Sequence, residues 1–347
     1  MIVEAASPVL SLCRYRNEAG TCVATIFDSE FVQVNTSVLR RISGKLPFNV
    51  FIRRGENTYT KLFPKGDPID LEHLDKYESE KGIQDFYVHR DDYRQYLLYV
   101  ERIANSLFKN KASEQSEVVE VIKEMTNLTM LELVVNKQVD AKSVAYAMTT
   151  IKGCIDVLAG DPKSLFKIFR LMSGQPYLIK HALTTSVFAL LLAKMEKIET
   201  EKNLVNLGLG ALIHDIGMTM LTYDPEEKTE LLPEERRELH QHPELGKRML
   251  DSIRAITPEV RMIVMQHHEQ PNGHGYPNGL HDKQIYFPAK IVAIADSFSA
   301  LLSVRPFREE AFTPVKAIEI MQEDRGKFDQ ALLDKFATLF LQIKVRD

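Results

Sequence analysis

The hydrophobic pattern of this chain changes period once, near residue 90. Before that point apolar residues come in short β-branched and aromatic runs separated by turn formers. Phe31 to Val34 predicts a strand and Ser37 to Ser43 a brief helix. Phe48 to Arg53 and Thr58 to Phe63 predict a hairpin closed by Gly55, Glu56 and Asn57. Asp70 is placed to cap a short helix to Tyr77, and Phe86 to His89 predicts a last strand. Residues 1–92 are therefore expected to form a small α+β N-terminal module. His73 and His89 lie in it as surface or edge residues.

After Asp91 the spacing becomes helical. Tyr96, Tyr99, Val100, Ile103 and Leu107 follow a 3.6-residue repeat. A polar break spans Lys109 to Ser116. Helical pattern resumes over Val118 to Met130, Ala141 to Leu158 and Pro162 to Leu171, so residues 93–174 read as a helical connector. A homodimer contact could sit on these helices. From 175 to 347 the chain reads as an all-α bundle. Pro243, Pro258, Pro288 and Thr313-Pro314 mark helix starts, since proline is tolerated in the first turn. Pro271 to Gly279 is dense in turn formers and predicts an ordered loop or a lid.

Composition adds mainly exclusions. Of 347 residues 44% are hydrophobic and 27% charged, as in a globular protein with a substantial core. A formal charge of -4 argues against broad nucleic-acid or anionic-membrane binding. No apolar run approaches the roughly 20 residues of a membrane span, and the N-terminus lacks the pattern of a signal peptide. Cys13, Cys22 and Cys154 are odd in number and lack CxxC spacing, so they read as reduced thiols in a cytoplasmic protein. A Cys13–Cys22 bridge is the minor alternative.

The chemistry concentrates in the helical half. Eight of the ten histidines fall between residues 181 and 281. His181, His214, Asp215, His242, His267, His268 and Asp296 stand at helix ends or inside apolar stripes. One metal that keeps an open position takes three or four protein ligands. Seven suffice for two metals with one bridging carboxylate, an arrangement suited to phosphoester hydrolysis. Mixed imidazole and carboxylate favours iron, manganese or zinc over magnesium or calcium. Any single one of these histidines is more readily a packed, hydrogen-bonded residue than a ligand; it is the set that argues for metal.

His214-Asp215-Ile216-Gly217, followed by His267-His268-Glu269-Gln270-Pro271-Asn272-Gly273-His274-Gly275-Tyr276-Pro277-Asn278-Gly279-Leu280, resembles the two signatures of the HD-GYP family. These are bacterial signalling cyclic di-GMP phosphodiesterases within the HD metal-dependent phosphohydrolases. The resemblance covers about residues 175–345; residues 30–95 resemble, more weakly, a module attached to some members. It implies an all-helical domain with a two- or three-metal centre, often iron, that hydrolyses cyclic di-GMP to pGpG, sometimes on to GMP; for this chain two divalent ions are expected, iron or manganese first and zinc as the alternative. His181, His214, Asp215 and Asp296 would hold one ion. His242, His267 and His268 would hold the other, with Asp215 bridging. Tyr276 would lie near the substrate, and Arg305 and Arg308 would meet its phosphates. A signalling protein partner through the N-terminal module is a further implication. Three positions depart from the pattern: Met218 stands for lysine, Tyr177 for the glutamate of trinuclear members, and Asn272 for aspartate. Met218 motivates an alternative, a weak or inactive member that binds cyclic di-GMP or a partner as a signalling module. Hydrolysis of another nucleotide is a third reading.

Overall fold

The computed structural model describes residues 2–4, 30–55, 58–83, 85–110, 113–135, 139–160, 177–305, 308 and 310–341. The sites of the expected Pro162 to Leu171 helix, and of Cys13 and Cys22, lie outside these residues. The chain forms two compact units, Met1–Leu131 and Glu132–Asp347.

The first unit is α+β. Its strands are β1 (Ile2–Glu4), β2 (Phe31–Val34), β3 (Val50–Arg53), β4 (Thr58–Phe63) and β5 (Phe86–His89). All pair antiparallel, in the order β1-β4-β3-β5-β2. Because side chains alternate across a strand, the register sorts two faces. Val32, Ile52, Phe86 and Val88 share one, each at most 3% exposed. Phe31, Phe51, Tyr59 and Tyr87 share the other. Phe31 on an edge strand stacks on Tyr59 of β4 with ring centroids 4.0 Å apart. Two strands lie between them, at about 4.8 Å per step, so the sheet must curl to bring these rings together. Edge strand β1 has no counterpart among the sequence expectations.

Four helices complete the first unit: α1 (Thr36–Leu39), α2 (Leu71–Lys81), α3 (Tyr93–Lys109) and α4 (Gln115–Met130). Asp70 caps α2 as expected, its side chain accepting from the His73 amide at 3.0 Å. His73 packs its ring against Phe63 and Tyr77, and His89 lies edge-on to Phe31. Helix α3 turns Tyr93, Tyr96, Leu97, Val100 and Ala104 inward. The buried Tyr96 hydroxyl donates to Glu124 of α4 at 2.6 Å and accepts from the Asn35 amide at 3.1 Å.

The second unit is helical: α5 (Ala141–Gly160), α6 (Tyr177–Met195), α7 (Glu201–Leu212), α8 (Pro233–Leu239), α9 (His242–Asp251), α10 (Pro258–Gln266), α11 (Phe287–Leu301), α12 (Pro314–Glu323) and α13 (Gln330–Leu341). Helices α3 and α4, read as part of a connector, thus belong to the first unit and α5 to the second. Helix α6 is apolar nearly all round, which fits a core helix. Every residue from Ile179 to Ala193 is buried. Among the described helices α6 alone is long and apolar enough to cross a membrane, but it lies inside the bundle, flanked by α5, α7, α11 and α13. Phe188, Phe298, Phe336 and Phe340 form an aromatic knot where α6, α11 and α13 meet.

Candidate metal centre

Five separate stretches deliver the seven residues singled out from the sequence. His181 sits one turn into α6. His214 and Asp215 follow the end of α7. His242 opens α9, while His267 caps α10 with His268 next in line. Asp296 lies in the middle of α11. The structure brings all seven together around the two carboxylates. Asp215 Oδ2 is 3.2 Å from His214 Nε2 and 3.7 Å from His181 Nε2. Its other oxygen, Oδ1, is 3.2 Å from His242 Nε2 and 3.6 Å from His267 Nε2. Asp296 Oδ1 is 3.1 Å from His181 Nε2, and its Oδ2 is 3.9 Å from His268 Nδ1.

Among the described residues two groups have the spacing of a metal site. One is His181, His214 and Asp215; the other is Asp215, His242, His267 and His268. Asp215 belongs to both, with one oxygen turned to each.

The far side of three imidazoles fixes their tautomer. His214 Nδ1 faces the Ala211 carbonyl at 2.8 Å, His242 Nδ1 the Leu239 carbonyl at 2.7 Å, and His267 Nδ1 the Val264 carbonyl at 2.8 Å. Each acceptor lies three residues earlier, at the end of the preceding helical turn. A carbonyl only accepts, so Nδ1 carries the hydrogen and a neutral ring keeps its Nε2 lone pair inward. His181 Nδ1 lies 3.2 Å from Ser299 Oγ, which also meets Thr184.

The donor set fits a cation on two observations. His242 Nε2 and His267 Nε2 face each other at 3.2 Å. With both hydrogens on Nδ1, neither neutral ring can donate to the other, so the pair calls for a positive centre between them. His214 Nε2 is buried and makes no hydrogen bond, although it points at carboxylates. These are hard and borderline donors arranged for a divalent metal.

Electrostatics agree. Burial pushes the His267 imidazole down, and burial with the neighbouring histidines pushes His268 well down, so both stay neutral at pH 7. Burial alone would raise Asp215, but the histidines around it, His214 foremost, hold it well below the usual carboxylate range. His214 differs: burial alone would lower it, but the Asp215 and Asp296 charges raise it well above the usual imidazole range, so without a metal the carboxylates favour a proton on Nε2, where a cation would stand. The four histidines His181, His214, His242 and His267 have side chains at most 2% exposed, against 20% for Asp215 and 26% for His268. The cluster therefore opens to solvent on the Asp215 and His268 side.

Glycines shape this geometry in two places. A Cβ on Gly217 would lie 2.0 Å from the His242 carbonyl oxygen, so only glycine lets the turn after Asp215 touch the start of α9. A Cβ on Gly275 would lie 2.3 Å from the Gln270 amide nitrogen, so only glycine lets the 271–281 loop fold back on residues 268–270. That loop is pinned rather than open. The buried Glu269 carboxylate accepts from the Asn278 amide at 2.7 Å and the Leu280 amide at 2.8 Å. Asn272 serves the same loop, accepting from the His274 amide at 2.9 Å.

Tyr276 stands at the rim. Its ring stacks on His240 at 4.1 Å and lies 4.7 Å from His268. Met218 is half-buried on the turn Ile216–Met220 that follows Asp215. Tyr177 stacks on His181 at 5.1 Å with rings 13° from parallel. The two arginines differ in what they do. The Arg305 guanidinium lies 4.1 Å over the Tyr177 ring and 3.0 Å from Glu226. Arg308 instead donates to the carbonyls of Ala300, Leu301 and Ser303, closing the C-terminus of α11. Sequence reasoning did not single out Ser299, Glu269, His240 or Glu226. Glu269 had a local signal, a carboxylate directly after the histidine pair. The other three are brought in by tertiary contacts with no local mark.

Residues 170–332 match the model of the HD domain family. A cyclic di-GMP phosphodiesterase of Pseudomonas aeruginosa is 33% identical over 178 residues, half of this chain and 42% of that protein. A 3'3'-cGAMP-specific phosphodiesterase of Vibrio cholerae is 32% identical over 151 residues, 43% of this chain and 32% of that protein. The chain thus spans less than half the length of either relative. Among solved structures, an HD-GYP-type protein from Bdellovibrio bacteriovorus, Bd1817, superposes with a TM-score of 0.65, covering 90% of this chain and 99% of that one at 20% identity. That likeness concerns the fold. Residues 170–332, within the helical part of this chain, are thus similar to the HD domain family, and the fold is similar to that of Bd1817.

Proposed function

We propose that this chain is a metal-dependent phosphodiesterase that hydrolyses cyclic di-GMP to linear pGpG. The observation that carries the reading is Asp215, whose two oxygens face two separate sets of imidazoles. A pure scaffold has no physical need for such a shared carboxylate. His181, His214, Asp215 and Asp296 would hold one divalent ion, and Asp215, His242, His267 and His268 a second. Iron or manganese suits the mixture best, with zinc acceptable. When bound, such a pair supplies Lewis-acid activation of water and neutralises charge on the phosphodiester.

The protein's own part is placement. Asp215 sets the spacing of the two halves. The Nδ1 hydrogen bonds to Ala211, Leu239 and Val264 keep three imidazoles turned inward. Tyr276 offers an aromatic edge to a nucleotide at the rim, stacked in place by His240. Arg305 provides a planar guanidinium for a phosphate oxygen, a geometry that a lysine cannot reproduce. Arg308 supports α11 and reaches substrate only if it leaves that task.

Anaerobically purified protein loaded with iron or manganese is expected to linearise cyclic di-GMP, and Asp215→Ala to lose at least about a thousandfold in turnover, as when both halves of a metal site fail. Metal-loaded wild type that binds cyclic di-GMP without cleaving it would support the binding-module reading instead. The Vibrio relative specific for 3'3'-cGAMP makes a mixed cyclic dinucleotide the second substrate to assay.

A further inference from the structure

Outside the seven clustered residues, one buried ion pair borders the site. Glu226 Oε1 lies 3.0 Å from an Arg305 guanidinium nitrogen, with side chains only 14% and 19% exposed. The guanidinium carbon lies 4.1 Å over the Tyr177 ring, and Tyr177 stacks on His181. Guanidinium, phenol and imidazole thus form a column that ends at the cluster. Both ends of the ion pair are held. Asp224 accepts from the Glu226 amide at 2.9 Å within the turn Pro225–Glu227. Arg305 and Arg308 exchange backbone hydrogen bonds at 3.0 and 2.8 Å, and Arg308 is fastened to the end of α11.

We infer that Glu226 is a positioning residue: it holds the Arg305 guanidinium against Tyr177, beside the Asp215–Asp296 cluster, and so sets how tightly the site takes a phosphate group. An arginine has rotamer freedom to lose before its fork can meet a phosphate. Here one face is covered by Tyr177 and one edge by Glu226, so that freedom is spent on folding, before an anion arrives. Glu226 acts on the site through Arg305. The buried carboxylate needs this cation: burial pushes Glu226 up to about 7, and Arg305 works against that rise. Neither Tyr177 nor Arg305 carries a signal in sequence that names Glu226 as its partner.

This inference rests on the phosphodiesterase reading, and its test separates the two. Whole metal-loaded protein is titrated with inorganic phosphate by calorimetry, and KM and kcat for cyclic di-GMP are measured alongside. Wild type, E226Q, R305A, R305K and the double variant E226Q/R305A are compared, with metal content checked throughout. E226Q is expected to weaken phosphate binding and raise KM by about tenfold each, the scale of one well-placed charge-assisted hydrogen bond, with kcat within about twofold. The double variant should be no weaker than R305A, because the two residues act as one. R305K should resemble R305A, since it keeps the charge and loses the fork. The inference is overturned if E226Q leaves the phosphate affinity of the folded, metal-loaded protein unchanged. It is equally overturned if the E226Q and R305A effects multiply, or if R305K behaves as wild type; this last comparison stands even where E226Q fails to fold. Absence of cyclic di-GMP cleavage by wild type would strike the substrate reading alone, since the phosphate titration needs no turnover.

Discussion

A single carboxyl shows how burial becomes a measurable property. Glu124 is 4% exposed and is pushed up to about 7 by burial, against the opposing pull of the Tyr96 hydroxyl and the Lys123 charge. Its ordinary value is 4.5. In the unfolded chain the proton leaves near that value, whereas in the folded unit it stays until about 7. Between these limits folding takes up a proton, so stability falls as pH rises and levels off above the folded value. The full span is worth at most about 3 kcal/mol. Glu124→Gln removes the ionisation and keeps the shape. Urea unfolding should find E124Q close to wild type near about pH 4.5 and more stable by up to about 3 kcal/mol at pH 8. E124Q that is less stable than wild type at pH 8 would mean that the bond from Tyr96 to an ionised Glu124 outweighs its burial.

At the scale of elements, helix ends carry the site. Three of the imidazoles sit where a helical turn finishes, and each uses the carbonyl three residues back to set its tautomer. The 271–281 loop is built by the same economy of ends. Two of its amides, Asn278 and Leu280, rest on Glu269. Removing that carboxylate leaves both donors unmatched, at about 1–3 kcal/mol each where water cannot reach. Glu269→Ala is therefore expected to free the loop and displace Tyr276 while sparing the metal ligands. The predicted outcome is a KM for cyclic di-GMP raised by about tenfold or more, unchanged metal content, and faster proteolytic cleavage within 271–281. Loss of metal with unchanged KM would place Glu269 in the metal site rather than the loop.

How far the sequence reached also divides by element. Helix starts were legible because caps and prolines act locally: Asp70 before α2, Pro258 at the start of α10 and Thr313-Pro314 before α12 all stand where the chain turns helical. Clustering of the seven histidines and aspartates was legible from residue type against an apolar background. Strand β1 was not, because three residues carry little pattern and their partner strand begins at Thr58. The turn that carries Glu226 was not, because its meaning lies in a residue of a distant loop. Arg305 and Arg308 looked equivalent in sequence; only the carbonyls at the end of α11 separate them.

At the scale of the whole molecule, the chain contains a curled five-stranded unit and a helical bundle. The bundle's central helix, α6, is both the core of the fold and the source of His181. Packing and chemistry therefore share one element. The central claim is that two metal ions share Asp215, one drawn from each group of histidines. Metal content per chain tests it most directly, measured on anaerobically purified wild type and on His181→Ala and His242→Ala, one variant from each group. The account predicts about two ions in wild type and about one in each variant, with the remaining ion retained through Asp215. A wild type that holds only one ion, lost equally in both variants, would contradict it.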